Sequence, residues 1–276
     1  MSDSAKDLTP IAFIGGGNMA RALIGGLLRA GVSATALRVA DPAPDRAALA
    51  ALGPVALADD NPSAAHGAKV VVLAVKPQVM AAACAAITAA VQAGRPLIVS
   101  VAAGVRSADL DAWLGGGCAI VRCMPNTPAL LGAGATGMVA NAAVDAAQRA
   151  TAERIMACVG IVEWIPDESL MDAVTALSGS GPAYFLQLVE HLEDAAVTLG
   201  LPRASARRLA VQTGLGAMRM AAESALEPAA LRRQVTSPGG TTAAALAAFE
   251  AGGFATLVAR ALQAARDRGR ALGGGG

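Results

Sequence analysis

The feature that most constrains this chain is Gly15-Gly16-Gly17-Asn18-Met19-Ala20, set directly after the apolar run Ile11-Ala12-Phe13-Ile14. A short buried strand that enters G-x-G-x-x-A and then a helix is the layout of a dinucleotide-binding turn. Each small residue has its own task. Gly15 permits the tight turn, Gly17 lets the backbone approach a pyrophosphate, and Ala20 lets the helix pack close to the strand. Free N–H groups at the helix start would then face the phosphate charge. A glycine pattern alone is also compatible with a merely structural turn. Here strand, turn, helix and second strand follow one another in order.

The spacing predicts a helix from Asn18 to Ala30, a strand from Leu37 to Ala40 and a short helix from Asp45 to Leu52. Further apolar runs cover Val70 to Val75, Leu97 to Val101, Ala119 to Arg122 and Ile161 to Ile165. Strands apolar on both faces and separated by helical stretches predict a parallel sheet covered on both sides. The fold class is α/β: a Rossmann-type doubly wound sheet over residues 1–165. After Pro166 only helical patterns follow: Asp167 to Ala176, Ala183 to Leu199, Ala204 to Ser224, and Thr242 to Arg270 with an interruption at Gly252-Gly253. Ser178-Gly179-Ser180-Gly181-Pro182 breaks the first of them. Residues 166–276 are therefore expected to form an all-helical domain, ending in a frayed Gly273–Gly276 tail.

Composition excludes several classes. With 54% hydrophobic against 16% charged residues, the chain is not disordered as a whole. Aromatic residues make up only 3% and the net charge is +1, with no basic block, so neither nucleic acid nor an anionic membrane is an expected partner. The longest strongly apolar stretch, Val70 to Val75, is far short of the ~20 residues of a membrane helix. The polar start, Met1 to Pro10, does not read as a signal peptide, and a cytoplasmic location is expected. Cys84, Cys118, Cys123 and Cys158 form no C-x-x-C pair and only His66 and His191 accompany them, so no metal is expected and the thiols read as buried and reduced.

The candidate cofactor residues begin with Ile14, Gly15, Gly16, Gly17, Asn18 and Met19. Asp41, at the end of the second strand, is placed to hydrogen-bond adenosine ribose hydroxyls and to disfavour a 2′-phosphate, which points to NAD. It could equally be a turn residue before Pro42, and Arg38 or Arg46 could meet a 2′-phosphate, so NAD and NADP both stay open. Three further loops follow strand ends, where ligands bind in open α/β sheets: Ala74-Val75-Lys76-Pro77, Ala102-Ala103-Gly104 and Met124-Pro125-Asn126-Thr127-Pro128. They could wall the ribose and nicotinamide, or be ordinary turns.

The chemistry is narrowed by what is missing. The lysines are Lys6, Lys69 and Lys76, so the helical region offers none as the acid/base that a hydroxyacid dehydrogenase of the 6-phosphogluconate type uses. His191 and the sole tyrosine, Tyr184, read best as helix-surface or packing residues. Carbonyl reduction usually requires a strong general acid, whereas an imine nitrogen can be protonated before hydride arrives. The pattern therefore favours C=N over C=O reduction. Between two helices lies the polar loop Val235-Thr236-Ser237-Pro238-Gly239-Gly240-Thr241-Thr242, whose hydroxyls and helix-start N–H groups suit a carboxylate; an elaborate capped turn is the plainer reading.

At this point the chain resembles the pyrroline-5-carboxylate reductases. The resemblance rests on Ile11 to Gly17, Leu73 to Pro77, Ser100 to Gly104, Met124 to Pro128, Ser178 to Tyr184 and above all Val235 to Thr242, and it extends to about Arg270. It implies reduction of 1-pyrroline-5-carboxylate to L-proline with NADPH or NADH, by a homodimer that assembles further into a homodecamer. It also implies that Thr242 meets the pyrroline nitrogen and that Ser237, Gly240 and Thr241 cradle the substrate carboxylate. Asn61 would contact a cofactor ribose, and Ala74, Val75, Lys76, Pro77, Val101, Ala102 and Ala103 would wall the nicotinamide. Another cyclic-imine or oxo-acid reductase and a non-catalytic dinucleotide sensor are the alternatives.

Overall fold

The computed structural model describes residues 10–273, so the polar N-terminal segment and the last three glycines lie outside the described residues. The chain divides into two units: one holds everything up to Ser180 together with the residues from Ala265 onward, the other Gly181 to Ala264.

The first unit is built on β1 (Ile11–Ile14), α1 (Asn18–Arg29), β2 (Leu37–Ala40), α2 (Arg46–Ala50), β3 (Ala56–Leu57), α3 (Asn61–Ala65) and β4 (Val70–Leu73). It continues through α4 (Pro77–Gly94), β5 (Leu97–Ser100), α5 (Ser107–Trp113), β6 (Ile120–Met124), β7 (Gly134–Ala140), α6 (Ala146–Ala157) and β8 (Gly160–Trp164). The eight strands lie in the order β3-β2-β1-β4-β5-β6-β7-β8. Ile11 and Phe13 enter one core with Leu23, Leu27 and Ile155; Ala12 and Ile14 enter the other with Met80, Ile87 and Leu110. Successive side chains alternate between faces, so burial on both sides makes the strands apolar throughout.

The doubly wound sheet matches the expectation, with corrections. The short helix expected from Asp45 to Leu52 is only Arg46–Ala50, because Asp45 is its cap and accepts from the Ala48 N–H at 3.0 Å. The last two strands also run against the rest: β7 is antiparallel to β6, and β8 is parallel to β7. The first four residues of β7, Gly134-Ala135-Thr136-Gly137, carry no apolar run to announce a strand, since neighbours crowd them: a Cβ on Gly137 would lie 2.5 Å from the Val174 side chain, and one on Gly134 2.9 Å from the Val159 carbonyl oxygen.

By length and composition α4 is the single helix among the described residues that could cross a membrane; the helices Thr241–Ala251 and Phe254–Gly273 meet the same test only if taken together as one bent pair. Here α4 covers the sheet, with Met80, Ala83, Cys84, Ile87 and Val91 in the core. Its alanines escape a reading tuned to Val and Ile runs. All four cysteines are free, and Cys84, Cys118 and Cys123 are buried. Burial pushes the Cys84 thiol up to about 12, so it stays protonated and unreactive.

After β8 come a 3₁₀ turn (Glu168–Leu170), α7 (Met171–Val174) and a π turn (Thr175–Gly179). These residues stay with the sheet because Val174 lies over Gly137 and the Asn126 side-chain amide donates to the Ser178 carbonyl at 2.9 Å. The break expected at Ser178 to Pro182 is thus a helical turn of wider pitch running into α8 (Gly181–Thr198). Pro182 fits there because a helix's first turn needs no N–H bond. α9 (Arg203–Glu223), α10 (Pro228–Gln234), α11 (Thr241–Ala251) and α12 (Phe254–Gly273) complete the chain. Gly273 is the last residue of α12, not the start of a frayed tail: a Cβ on it would lie 2.8 Å from the Gly104 carbonyl oxygen.

Across the second unit only Gly181, Glu193 and Ala206 are buried, while Phe185, Leu186, Leu209 and Leu215 stand more than half exposed. Glu193 joins the first two helices, accepting from Arg203 Nη1 and Arg207 Nε at 2.9 Å each. Helices with so little of their apolar surface hidden require further coverage.

Candidate active site

The glycine turn lies where the strand order changes direction, between β1 and its two parallel neighbours β2 and β4. Ligands bind at such switch points, beyond the carboxyl ends of the strands. Gly15 has φ +99° and donates to the Ala40 carbonyl at 2.8 Å; a Cβ there would lie 2.6 Å from the Ala74 carbonyl oxygen. Gly16 donates to Asp41 Oδ2 at 2.7 Å. Gly17 is the N-cap of α1, forms no side-chain cap, and has open space where its Cβ would be. Ala20 is fully buried against the sheet. The helix start is thus free of competing side chains and bare of bulk, which suits a bound pyrophosphate.

The other expected cofactor residues surround this edge. Ala74 donates to the Ile14 carbonyl at 2.8 Å and Val101 to the Leu73 carbonyl at 3.1 Å, which ties the loops after β1, β4 and β5 into one row. Lys76 caps α4 and Pro77 opens it. Ala102 is buried and Ala103 exposed. Asn61 begins α3 behind its cap, Asp60. Of the two arginines that could meet a 2′-phosphate, Arg38 is engaged with the His66 carbonyl at 2.8 Å. Asn126 is fully engaged within the protein, since it donates to Ser178 and accepts from the Ala135 N–H at 2.9 Å. Its loop, from Met124 to Pro128, is therefore pinned to the π turn.

One cluster escaped the sequence reading. Glu168 Oε1 accepts from the Ser107 N–H at 2.8 Å, from the Ser107 hydroxyl at 3.1 Å and from Arg122 Nη1. Burial by itself would raise the Glu168 carboxyl, but the Arg122 guanidinium and the Ser107 N–H outweigh it and hold the carboxyl below its ordinary range. The only hint in the sequence was an arginine inside a buried strand.

In the second unit, Thr236 folds its hydroxyl back on the Arg232 carbonyl at 2.6 Å. Gly239, at φ +69°, turns the chain into Gly240, the N-cap of α11. Gly240 donates to the Ser237 carbonyl at 3.1 Å, and a Cβ on it would lie 2.5 Å from Ser237 Oγ. α11 begins with Thr241 and Thr242 and has no side-chain cap, so no capping side chain takes its first N–H groups. Such an end suits a carboxylate. His191 is exposed and Tyr184 half-buried, both on α8.

Residues 168–272 match the family model described as pyrroline-5-carboxylate reductase dimerisation, and residues 10–104 match NADP oxidoreductase coenzyme F420-dependent. The chain is 53% identical to the pyrroline-5-carboxylate reductase of Pseudomonas aeruginosa, over 94% of each chain. It belongs to the pyrroline-5-carboxylate reductase family. The reductase of Haemophilus influenzae is 43% identical over 94% of this chain and 95% of its own. Among solved structures, the pyrroline-5-carboxylate reductase of Coxiella burnetii superposes with a TM-score of 0.91 at 42% identity, covering 96% of this chain and 98% of that one. Pyrroline carboxylate reductase of Plasmodium falciparum, solved with NADP bound, gives 0.85 at 30% identity over the same shares. The chain is accordingly an NAD(P)-dependent oxidoreductase of this family. The family's dimerisation region takes in the helices that leave Phe185, Leu186, Leu209 and Leu215 uncovered, so the protein is a homo-oligomer.

Proposed function

We propose that this protein reduces 1-pyrroline-5-carboxylate to L-proline, the last step of proline biosynthesis. Membership in the reductase family carries the reading. Bound NAD(P)H supplies a hydride to the C=N carbon, and the ring nitrogen takes up a proton. Ile14, Gly15, Gly16, Gly17, Asn18 and Met19 hold the pyrophosphate, with the α1 N–H groups opposing its charge. Asp41 and Asn61 take the adenosine-side hydroxyls. Ala74, Val75, Lys76, Pro77, Val101, Ala102 and Ala103 wall the nicotinamide. Ser237, Gly240 and Thr241 hold the substrate carboxylate, and Thr242 holds the pyrroline nitrogen by a hydroxyl hydrogen bond. A hydroxyl suffices because an imine nitrogen is basic enough to be protonated before hydride arrives.

In this reading residues 1–165 are the dinucleotide-binding domain and residues 166–276 the helical substrate-binding and dimerisation domain. The enzyme works in the cytoplasm as a homodimer that assembles into a decamer, on a small molecule and without nucleic acid or membrane partners. The test is a steady-state comparison of pyrroline-5-carboxylate, pyrroline-2-carboxylate and the six-membered homologue. The first is expected to have the highest kcat/KM with NADH or NADPH. A higher value for either of the others replaces it as the substrate.

A further inference from the structure

The segment between β5 and α5 is proposed above to meet the nicotinamide. At its entrance it is fixed by the sheet, where Val101 donates to the Leu73 carbonyl at 3.1 Å. At its exit it is fixed by a residue from far along the chain. Ser107, the first residue of α5, gives both its N–H (2.8 Å) and its hydroxyl (3.1 Å) to Glu168 Oε1. The N-cap of α5, Arg106, makes no side-chain cap, so Glu168 satisfies an N–H that the helix itself leaves open.

The carboxylate that does this is itself anchored. Arg122 donates to the same oxygen, and its side chain is only 9% exposed. Arg122 stands on β6 directly opposite Ser100, the last residue of β5. One carboxylate oxygen therefore links the sheet beside the start of the segment to the helix at its end. In between, Ala102 and Val105 are buried, Gly104 has φ +76°, and Gly273 of α12 lies against it. Among the described residues, the hydrogen bonds that tie this exit to Glu168's part of the chain are those of Ser107 to Glu168 Oε1.

We infer that Glu168, held by Arg122, is a positioning residue that sets the place of the nicotinamide-side segment Val101–Ala103 by drawing in the start of α5. The inference rests on the assignment of that segment to the nicotinamide. The Arg122–Glu168–Ser107 cluster touches neither the glycine turn nor Asp41, so the adenosine half of the site is independent of it. Reacting groups displaced by a fraction of an ångström to an ångström lose up to about 100-fold in rate.

The test uses Glu168→Gln, Glu168→Asp and Ser107→Ala in the whole enzyme, with three readouts. Amide exchange of residues 101–107 without ligand is expected to quicken in Glu168→Gln. Its Kd for ADP-ribose, which is the cofactor without its nicotinamide, is expected to stay within about twofold, while kcat falls and the NADH Kd rises, each by about tenfold. Glu168→Asp, which keeps the charge, recovers part of this. Ser107→Ala, which keeps both charges and leaves no buried arginine unpaired, shows the same pattern at about two- to threefold. It carries the test should Glu168→Gln fail to fold. Unchanged exchange overturns the clamp, and so does an equal loss of ADP-ribose and NADH affinity. Faster exchange with unchanged kcat and NADH affinity overturns the link to the nicotinamide. Failure of the wild-type enzyme to bind ADP-ribose instead overturns the dinucleotide assignment, and the exchange data then still judge the clamp.

Discussion

Asp41 Oδ2 accepts the backbone N–H of Gly16 at 2.7 Å, and Asp41 Oδ1 accepts that of Ala43 at 2.8 Å. The carboxylate is therefore fixed inside the glycine turn. A 2′-phosphate brought to the same ribose would face it across a short gap, and like charges so placed cost several kcal/mol. The enzyme is expected to use NADH with a kcat/KM about 10-fold or more above that for NADPH, and Asp41→Ser is expected to narrow or invert the ratio. Steady-state kinetics with both dinucleotides measure this. A wild-type preference for NADPH would show that the carboxylate leaves the 2′ position.

Thr242 is the second residue of α11, whose start has no side-chain cap. Thr242→Ala is expected to lower kcat by about 10- to 100-fold, since one hydrogen bond to the reacting nitrogen is worth roughly 1.5–3 kcal/mol. The dinucleotide Kd should not move, because the proposed function gives the hydroxyl to the substrate half. Thr242→Ser should restore most of the rate. Titration of protein fluorescence with dinucleotide, beside turnover, separates the two effects.

Gly15→Ala combines two faults. The backbone there is at φ +99°, and the new methyl would lie 2.6 Å from the Ala74 carbonyl oxygen. The dihedral alone costs about 1–3 kcal/mol. Dinucleotide binding should be lost or weakened more than 100-fold, together with a lower Tm. Gly17→Ala is the control: its Cβ meets nothing. It should keep the wild-type Tm and lose only dinucleotide affinity. Equal Tm losses in both variants would contradict this account.

Glu193 supplies a pH dependence. Hydrogen bonds from Arg207, then from Arg203, hold its carboxyl below its ordinary value of 4.5 against the opposing effect of burial. A lowered folded-state value means that the folded protein binds the proton less readily than the unfolded chain. The stabilisation is therefore complete above pH 4.5 and disappears as the pH falls through the lowered value. Glu193→Gln is expected to have a lower Tm at pH 7, with the gap to wild type closing in acid. Thermal unfolding at pH 7 and in acid measures the gap; one that widened in acid would reverse the assignment.

Local pattern decided a good deal. The run from Ile11 to Ala20 specified strand, turn and helix. The strands beside it announced themselves as apolar throughout because both faces are buried, and the residues around Gly239 and Gly240 marked a helix start. These properties depend on dihedral preference and on periodic burial within a few residues, so the amino-acid order contains them. Other features depend on which distant segments become neighbours. β7 pairs antiparallel through glycines that yield to Val174 and Val159, and α4 hides its membrane-like composition against the sheet. Asp41 turns in to Gly16, and Glu168 reaches Ser107 and Arg122. Sheet register and the packing of the Asp167–Ser180 turns bring these groups together. No local periodicity encodes a hydrogen bond between residues 61 apart in the chain, and the tertiary structure alone decided that one.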